Sequence, residues 1–235
     1  MRNFQYSAFP RLTPAVANIL FANIILFVVT YLIRSQGDLS EFLGAYYPSS
    51  PKFHAWQIIT HMFMHGGLTH ILFNMFGLYT FGIILENVWG TERFVYFYFL
   101  CGLGAIGLQF AVQAWEIHQI NGTLNSLIPS TSGDIQANEK LYAINEFPTI
   151  GASGAIFGIL TAFALLFPNT ELMMFFVPIP IKAKFLISGY IIIELYLGIQ
   201  NNAGDNVAHF AHLGGALIGF LILKYWNSKF YKRFY

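Results

Sequence analysis

Charged side chains are scarce in this chain. Asp, Glu, Lys and Arg make up 10% of its 235 residues, whereas 56% of the residues are hydrophobic. A soluble domain normally carries about 25% charged residues, so much of the surface of this protein must face something other than water. The formal net charge is only +1, and the composition therefore gives no indication of a nucleic-acid partner.

Cysteine is nearly absent as well. The single cysteine, Cys101, lies in an apolar stretch, which excludes an internal disulfide framework and argues against a structural zinc site. We expect Cys101 to be a small packing residue. The sequence contains no internal repeat and no separate soluble segment, so we predict one domain over residues 1–235.

Long apolar segments are what the chain does have. A helical membrane crossing needs roughly 17–25 apolar residues, and six segments approach that length: 15–33, 67–88, 94–115, 151–167, 185–199 and 207–226. They predict an all-α membrane protein with six transmembrane helices. Residues 117–149 are then a long outer loop. Pro178 and Pro180 argue against a helix in Met173–Ile181, which we interpret as an inner-face loop.

The basic residues indicate an orientation. With a cytoplasmic N-terminus, the outer side receives only Arg34, Lys52 and Lys140 of the 12 Lys and Arg residues. The positive-inside rule therefore favours cytoplasmic N- and C-termini. The first segment lacks a small-residue cleavage site and precedes further spans, so we do not expect a removable signal peptide. A compact chain of this kind suggests a multi-pass protein of a bacterial inner membrane.

Polar residues gather at one predicted depth. In this topology the second, fourth and sixth segments all begin at the outer face. At 1.5 Å of rise per residue, His70, Asn74, Ser153 and His212 lie roughly 4–12 Å below that face. Ser153 is a candidate nucleophile, and His212 is a candidate base for it. Small-residue packing is the alternative role for Ser153.

Three further histidines bear on this site. His209 lies three residues before His212, shares its helical face and competes with it for the role of base, although a helix-start or supporting position suits it better. His70 and Asn74, spaced i, i+4, could donate hydrogen bonds to a developing oxyanion, or could simply join two helices. His61 and His65 with His70 suggest zinc, but no carboxylate or cysteine completes that set.

Three motifs in this order resemble the rhomboid intramembrane serine proteases. They are His65-Gly-Gly-Leu-Thr-His70-Ile-Leu-Phe-Asn74, Gly151-Ala-Ser153-Gly154 and Ala211-His212-Leu-Gly-Gly215-Ala-Leu-Ile-Gly219. The resemblance implies a six-helix rhomboid-like bundle with a Ser153–His212 dyad below a cavity that opens to the outer face. It implies oxyanion stabilisation by His70, Asn74 and the Ser153 backbone N–H. It also implies that neither a metal nor a nucleotide cofactor is needed.

The resemblance further assigns supporting residues and partners. Gly151, Gly154 and His65 belong to the motifs, and Phe157 takes a position that often holds a tyrosine against the catalytic imidazole. Glu86 resembles an acidic residue near the inner end of the second span. No third, aspartate catalytic member is expected, and none lies at a suitable place in the sequence. The partners implied are transmembrane protein substrates and membrane lipids, with the oligomeric state left open.

The sequence therefore predicts a serine endopeptidase that cleaves membrane-anchored proteins within or beside a transmembrane helix. Two alternatives from other classes remain. An inactive rhomboid-like protein that binds membrane clients would normally lack the serine or the histidine, and this chain has both. A proton-coupled transporter could use the buried histidines, but it would not require Ser153, and the spans show no paired halves.

Overall fold

Helices dominate the computed structural model, which describes residues 11–35, 37–174, 177–200 and 207–234. Arg2, one of the basic residues behind the predicted orientation, lies outside these ranges. The helices are α1 Pro14–Ile33, α2 Leu39–Leu43, α3 Gln57–Thr60, α4 Leu68–Gly77, α5 Ile83–Trp89, α6 Thr91–Asn121, α7 Ile135–Glu146, α8 Ser153–Leu166, α9 Ala183–Gln200 and α10 His209–Phe234. A 3₁₀ turn, His61–Phe63, follows α3, and a π-helical turn, Leu78–Gly82, joins α4 to α5.

Four helices of the described chain are long and apolar enough to cross a membrane. They are Pro14–Ile33, Leu68–Trp89, Thr91–Asn121 and Ala183–Gln200. Only 17% of the apolar stretch is buried in the first and last of these, so most of their hydrophobic side chains face outward and suit contact with lipid. The all-α membrane class is therefore confirmed, whereas six as the exact number of spans stays a prediction.

The fourth predicted span is a central helix. α8 has 14 residues and measures about 21 Å at 1.5 Å per residue, less than the ~30 Å hydrocarbon core. Ten of its residues, from Gly154 to Ala164, are buried. Because other helices surround α8, it does not have to match the thickness of the bilayer itself.

Glycines bring α8 and α10 into backbone contact. A Cβ added to Gly215 of α10 would lie 1.8 Å from the carbonyl oxygen of Gly154, and one added to Gly219 would lie 2.8 Å from the Cα of Gly158. Gly154 and Gly158 are spaced i, i+4 on α8, and Gly215 and Gly219 have the same spacing on α10. One face of small residues on each helix therefore meets the other. In lipid, where apolar burial gives little drive for helix association, such close packing supplies the attraction.

Helix α6 completes this core. A Cβ added to Gly158 of α8 would also lie 2.4 Å from the Sγ of Cys101, which belongs to α6. Cys101 is fully buried, in agreement with its predicted packing role. A Cβ on Gly214 of α10 would likewise lie 2.5 Å from the carbonyl oxygen of Gly104. The helices α6, α8 and α10 are thus locked together at short distance, which fixes the relative positions of their side chains.

Glu86 holds the beginning of α1. Its two carboxylate oxygens accept from the backbone N–H groups of Ala15 and Val16, each at 2.9 Å, and Oε1 also accepts from the Thr91 hydroxyl at 2.7 Å. The first turn of a helix leaves its N–H groups without intrahelical acceptors, and a negative charge there is favourable. Glu86 therefore ties α1 to the α5–α6 corner, far in sequence from the helix that it caps.

Two predicted loops contain regular structure. Within 117–149, α6 continues to Asn121 and ends at Gly122 in a left-handed conformation (φ +73°), and α7 occupies Ile135–Glu146 after an Asp134 cap. The segment predicted to be an inner-face loop contains an antiparallel pair, β1 Glu171–Met174 and β2 Val177–Lys182. Prolines do break helices, but a two-stranded hairpin has only edge strands, which tolerate them.

Candidate active site

Ser153 is the first residue of α8, and the chain leading to it is held by backbone hydrogen bonds. Ala45 and Thr149 exchange two N–H···O=C bonds of 2.8 and 2.9 Å, and the Gly151 N–H donates to the His61 carbonyl at 2.9 Å. These contacts attach the approach segment to the region between α2 and α4. The position of Ser153 is therefore set from outside its own helix.

Gly151 is required at the turn before the serine. Its φ is +126°, a conformation that side-chain-bearing residues rarely adopt. A Cβ at this position would also lie 2.8 Å from Nε2 of His70 and 3.5 Å from Oγ of Ser153. The glycine thus lets the His70 ring come close to the serine, and the prediction that Gly151 supports the site has a geometric basis.

His212 and Ser153 form a hydrogen bond. Nε2 of His212 lies 2.8 Å from Oγ of Ser153, although the residues are 59 positions apart in the chain. The glycine contacts between α8 and α10 bring them together, since Gly154 directly follows Ser153 on α8 and Gly215 lies three residues after His212 on α10. Among the described residues, this pair is therefore well placed for proton transfer from a hydroxyl to an imidazole.

An aromatic ring of α8 stacks on the imidazole of His212, and a ring of α9 packs against that aromatic ring. Phe157 stacks on His212 with ring centroids 4.4 Å apart and planes 8° from parallel. Tyr190 of α9 packs against Phe157, with ring centroids 5.0 Å apart. A phenyl ring thus provides the stacking surface at this position without a hydroxyl, as the sequence led us to expect.

Glu194 is a neighbour of His212 that sequence reasoning missed. Only an aspartate was considered as a third member, but Oε2 of Glu194 lies 2.8 Å from Nδ1 of His212 and 2.7 Å from Nδ1 of His209. Glu194 is only 4% exposed. A carboxylate inside an apolar span is costly and commonly functional, and this was the signal in the sequence that could have pointed to Glu194.

The inward stripe of α9 places this carboxylate. The buried residues of α9 are Ala183, Ile187, Glu194 and Gly198, which recur at helical spacing and face the bundle. A Cβ on Gly198 would lie 3.2 Å from the Cβ of His209, so α9 approaches α10 closely one turn after Glu194. His209 begins α10 and contacts Glu194, and its supporting role stays a prediction.

Glu194, His209 and His212 form the group of potential metal ligands found among the described residues. Two ligands of one tetrahedral zinc ion, each about 2.0–2.1 Å from it, lie about 3.3 Å apart. The nitrogen–oxygen separations here are 2.7 and 2.8 Å, which are hydrogen-bond distances. The distances within this group therefore fit hydrogen bonds and do not fit a shared metal ion. The residues His61, His65 and His70, which the sequence suggested for zinc, are not part of this group.

The two predicted oxyanion donors, His70 and Asn74, occupy different positions on α4. His70 lies beside Gly151 and Ser153, and its ring contacts that of His65 at a centroid distance of 5.0 Å. Asn74 is buried one turn further along α4, where its Nδ2 donates to the His70 carbonyl at 2.9 Å. One amide hydrogen of Asn74 is thus engaged within its own helix, and the other is left for a further acceptor.

A cavity borders Ser153. Its lining includes the backbone or small side chains of Gly102, Ala105, Thr149, Ala208 and Ala211. His61 also reaches this cavity. Its Nδ1 contacts the Gln57 carbonyl at 2.9 Å, and burial lowers the pKa of His61 to about 4, so that its ring is neutral at physiological pH. The space next to the serine is therefore narrow and uncharged.

An all-α membrane bundle with a serine at a helix start, hydrogen-bonded to a buried histidine, defines the class of candidate intramembrane hydrolases. Comparison with known families agrees with this class. A family model described as the Rhomboid domain matches residues 52–228 of the chain. The chain belongs to the rhomboid family.

Several curated proteins are similar over much of the chain. Rhomboid-like protease 3 of Toxoplasma gondii is 24% identical, over 97% of this chain and 76% of that protein. Rhomboid protease AarA of Providencia stuartii is 28% identical, over 71% of this chain and 54% of that protein. Rhomboid protease GluP of Bacillus subtilis is 28% identical, over 70% of this chain and 25% of that protein. The chain thus spans about half of AarA and a quarter of GluP.

Proposed function

We propose that this protein is a serine endopeptidase that cleaves membrane-anchored proteins within or beside a transmembrane helix. The observation that carries the proposal is the 2.8 Å contact between Ser153 Oγ and His212 Nε2. Membership of the rhomboid family and the protease names of its relatives support the same activity. A serine hydroxyl becomes a competent nucleophile when a neighbouring base accepts its proton.

The first half of the reaction forms an acyl-enzyme. Ser153 Oγ attacks the carbonyl carbon of the scissile bond while its proton passes to His212 Nε2. The tetrahedral intermediate then collapses, and His212 returns that proton to the leaving amine. In the second half, water attacks the acyl-enzyme, His212 accepts a proton from the water, and the Ser153 hydroxyl is regenerated as the new carboxyl end leaves.

Negative charge on the carbonyl oxygen requires donors during both halves. The backbone N–H of Ser153 belongs to the first turn of α8 and has no acceptor within the helix. It would be joined by the His70 ring and by the free amide hydrogen of Asn74. Such prearranged donors commonly contribute about 10²–10³ in rate each, and they act on charge that exists only in the transition state.

The lining next to Ser153 supports a preference for small side chains at the scissile position. The cavity lined by Gly102, Ala105 and Ala208 is small, so a bulky side chain would not fit in it. A helical substrate also hides its peptide bonds in its own hydrogen bonds, so it must unwind locally before it can reach Ser153. Transmembrane segments with glycine, proline or polar residues near the cut are therefore the expected substrates.

The membrane setting of the proposal follows from the charge distribution. We place both termini in the cytoplasm and the active site near the outer face, in a bacterial inner membrane, with residues 1–235 as one protease domain. The described basic residues Arg34, Lys52 and Lys140 then belong to the outer side. No cofactor is required for the chemistry, because the serine, the histidine and the N–H donors supply each step.

Cleavage in liposomes tests the proposal. We expect Ser153→Ala and His212→Ala each to lower the cleavage of a reconstituted transmembrane reporter by at least ~10⁴-fold, because each removes one half of the proton-transfer pair. The double variant should be no worse than either single variant, since the two residues act as a unit. The measurement is the initial rate of product formation on gels, per folded protein.

Matched controls are an exposed serine and an exposed histidine. Ser188 on α9 and His118 on α6 are both exposed, so Ser188→Ala and His118→Ala should cleave at the wild-type rate. Cleavage by Ser153→Ala at more than a few per cent of the wild-type rate would refute Ser153 as the nucleophile.

A further inference from the structure

We infer that Glu194 is a positioning residue that fixes the tautomer and orientation of His212, which makes the site a serine–histidine–glutamate relay with His209 as a second support. This inference rests on the proposed function of Ser153 and His212. Three hydrogen bonds carry it: Ser153 Oγ to His212 Nε2, His212 Nδ1 to Glu194, and His209 Nδ1 to Glu194.

The donor and acceptor roles in this group follow from the carboxylate. An ionised Glu194 can only accept hydrogen bonds, so the nitrogen of His212 that faces it must carry a proton. Nδ1 is then the protonated nitrogen of the neutral ring, and Nε2 is left as an acceptor for the Ser153 hydroxyl. A base needs this tautomer, because the opposite one would place an N–H against the serine.

Burial of the carboxylate explains the second histidine. Glu194 is 4% exposed and His209 is 7% exposed, and a buried charge without hydrogen-bond donors is strongly unfavourable. His209 and His212 lie three residues apart on one face of α10, so both Nδ1–H groups reach the same oxygen, Oε2. His209 therefore keeps the carboxylate ionised and oriented while His212 works.

The same contact stabilises the reaction's charged state. When His212 accepts the serine proton, the ring becomes an imidazolium whose Nδ1–H points at a carboxylate 2.8 Å away. Charge-assisted hydrogen bonds of this type are about twice as strong as neutral ones, and the burial of both side chains limits competition from water. The contribution is greatest in the transition state, so it should appear in kcat more than in KM.

Replacement of the carboxylate by an amide tests the inference. In Glu194→Gln the amide keeps the side-chain shape but can turn an NH₂ group towards His212, which favours the opposite tautomer. We expect kcat for a reconstituted transmembrane substrate to fall about 10²-fold or more, with KM within about twofold; amide replacement of the acid in soluble serine-protease triads costs about 10⁴-fold. Glu194→Asp keeps the charge and should retain more kcat than Glu194→Gln.

Glu86→Gln is the matched control. Glu86 is another buried glutamate in a membrane helix, but it binds the start of α1 and not the histidines. Its amide variant should lower the Tm without lowering kcat per folded enzyme. Equal kcat losses per folded enzyme in Glu86→Gln and Glu194→Gln would overturn the inference, because they would reflect the loss of any buried carboxylate.

A second readout does not depend on activity. In ¹⁵N-histidine-labelled full-length protein, the wild-type ring of His212 should show a protonated Nδ1 and a bare Nε2, with the signal assigned by its loss in His212→Gln. A wild-type ring protonated on Nε2 alone overturns the inference, whether or not Glu194→Gln folds. If the wild type does not cleave the substrate, or if its cleavage does not require Ser153, the proposed function fails. The spectrum still tests the Glu194–His212 contact in that case.

Discussion

At the scale of single residues, Gly151 is as important to the site as the groups that would do the chemistry. It combines a φ of +126° with a hydrogen in place of the Cβ that would meet His70 at 2.8 Å. Both constraints come from the tertiary structure. The sequence motif marks the glycine, but only the geometry explains why an alanine cannot replace it.

We therefore predict that Gly151→Ala lowers cleavage by about 10²-fold or more, since displacing the serine or the His70 ring by even about 1 Å can cost that much. Backbone strain at this position adds roughly 1–3 kcal/mol of destabilisation. The measurements are the cleavage rate and the Tm of the purified variant.

The control for strain alone is Gly133→Ala. Gly133 also has a positive φ, +69°, but a Cβ there would meet no atom within 4 Å. This variant should cleave at the wild-type rate. A Gly151→Ala enzyme that is equally active would show that the turn before Ser153 does not hold His70 and the serine in their relative positions.

At the scale of helices, the crossing of α8 and α10 determines the distance between Ser153 and His212. Gly154 contacts Gly215, and Gly158 contacts Gly219. The small residues around Ser153 are thus packing residues, while Ser153 itself lies at the end of the packed face. Small-residue packing, the alternative role considered for Ser153, is thus found at the neighbouring glycines, and the role of Ser153 as nucleophile stays a prediction.

Gly215→Ala tests this crossing. Its Cβ would lie 1.8 Å from the Gly154 carbonyl oxygen, which is a backbone atom and cannot rotate away. The helices must separate, so we expect the 2.8 Å Ser153–His212 contact to be lost, cleavage to fall about 10²-fold or more, and the Tm to drop.

Gly189→Ala on α9 provides the comparison. A Cβ at Gly189 meets nothing within 4 Å, and alanine favours a helix over glycine by about 1 kcal/mol. This variant should be fully active and at least as stable as the wild type. If Gly215→Ala behaved in the same way, the close crossing would not be what positions the dyad.

The helices also show where sequence patterns are sufficient and where they are not. The hydrophobic segments predict α1 and α9 well, because each carries a long apolar surface that suits lipid. α7 was not predicted, since its short polar helix is stabilised by Leu141 and Ile144 packing near Ile117 and by the Lys140–Glu116 ion pair. Such contacts between distant segments leave no periodic hydrophobic signal.

At the scale of the whole molecule, the sequence predicted the class and the family, and both are confirmed. Ser153 and His212 could be chosen because each lies in a short, recognisable motif at the start of an apolar segment. Glu194 could not be paired with His212 in this way. Which face of α9 turns inward depends on how Gly198 packs against α10, and a linear sequence does not contain that information.

The central claim is that Ser153 is an activated nucleophile. Reaction of the folded, full-length protein with a fluorophosphonate, read by mass spectrometry of the modified peptide, tests this claim most directly. We predict one phosphonylated residue, Ser153, in the wild type, and no labelling of Ser153→Ala at equal Tm. A wild-type protein that stays unlabelled while folded, or a Ser153→Ala variant that labels equally, would contradict the account.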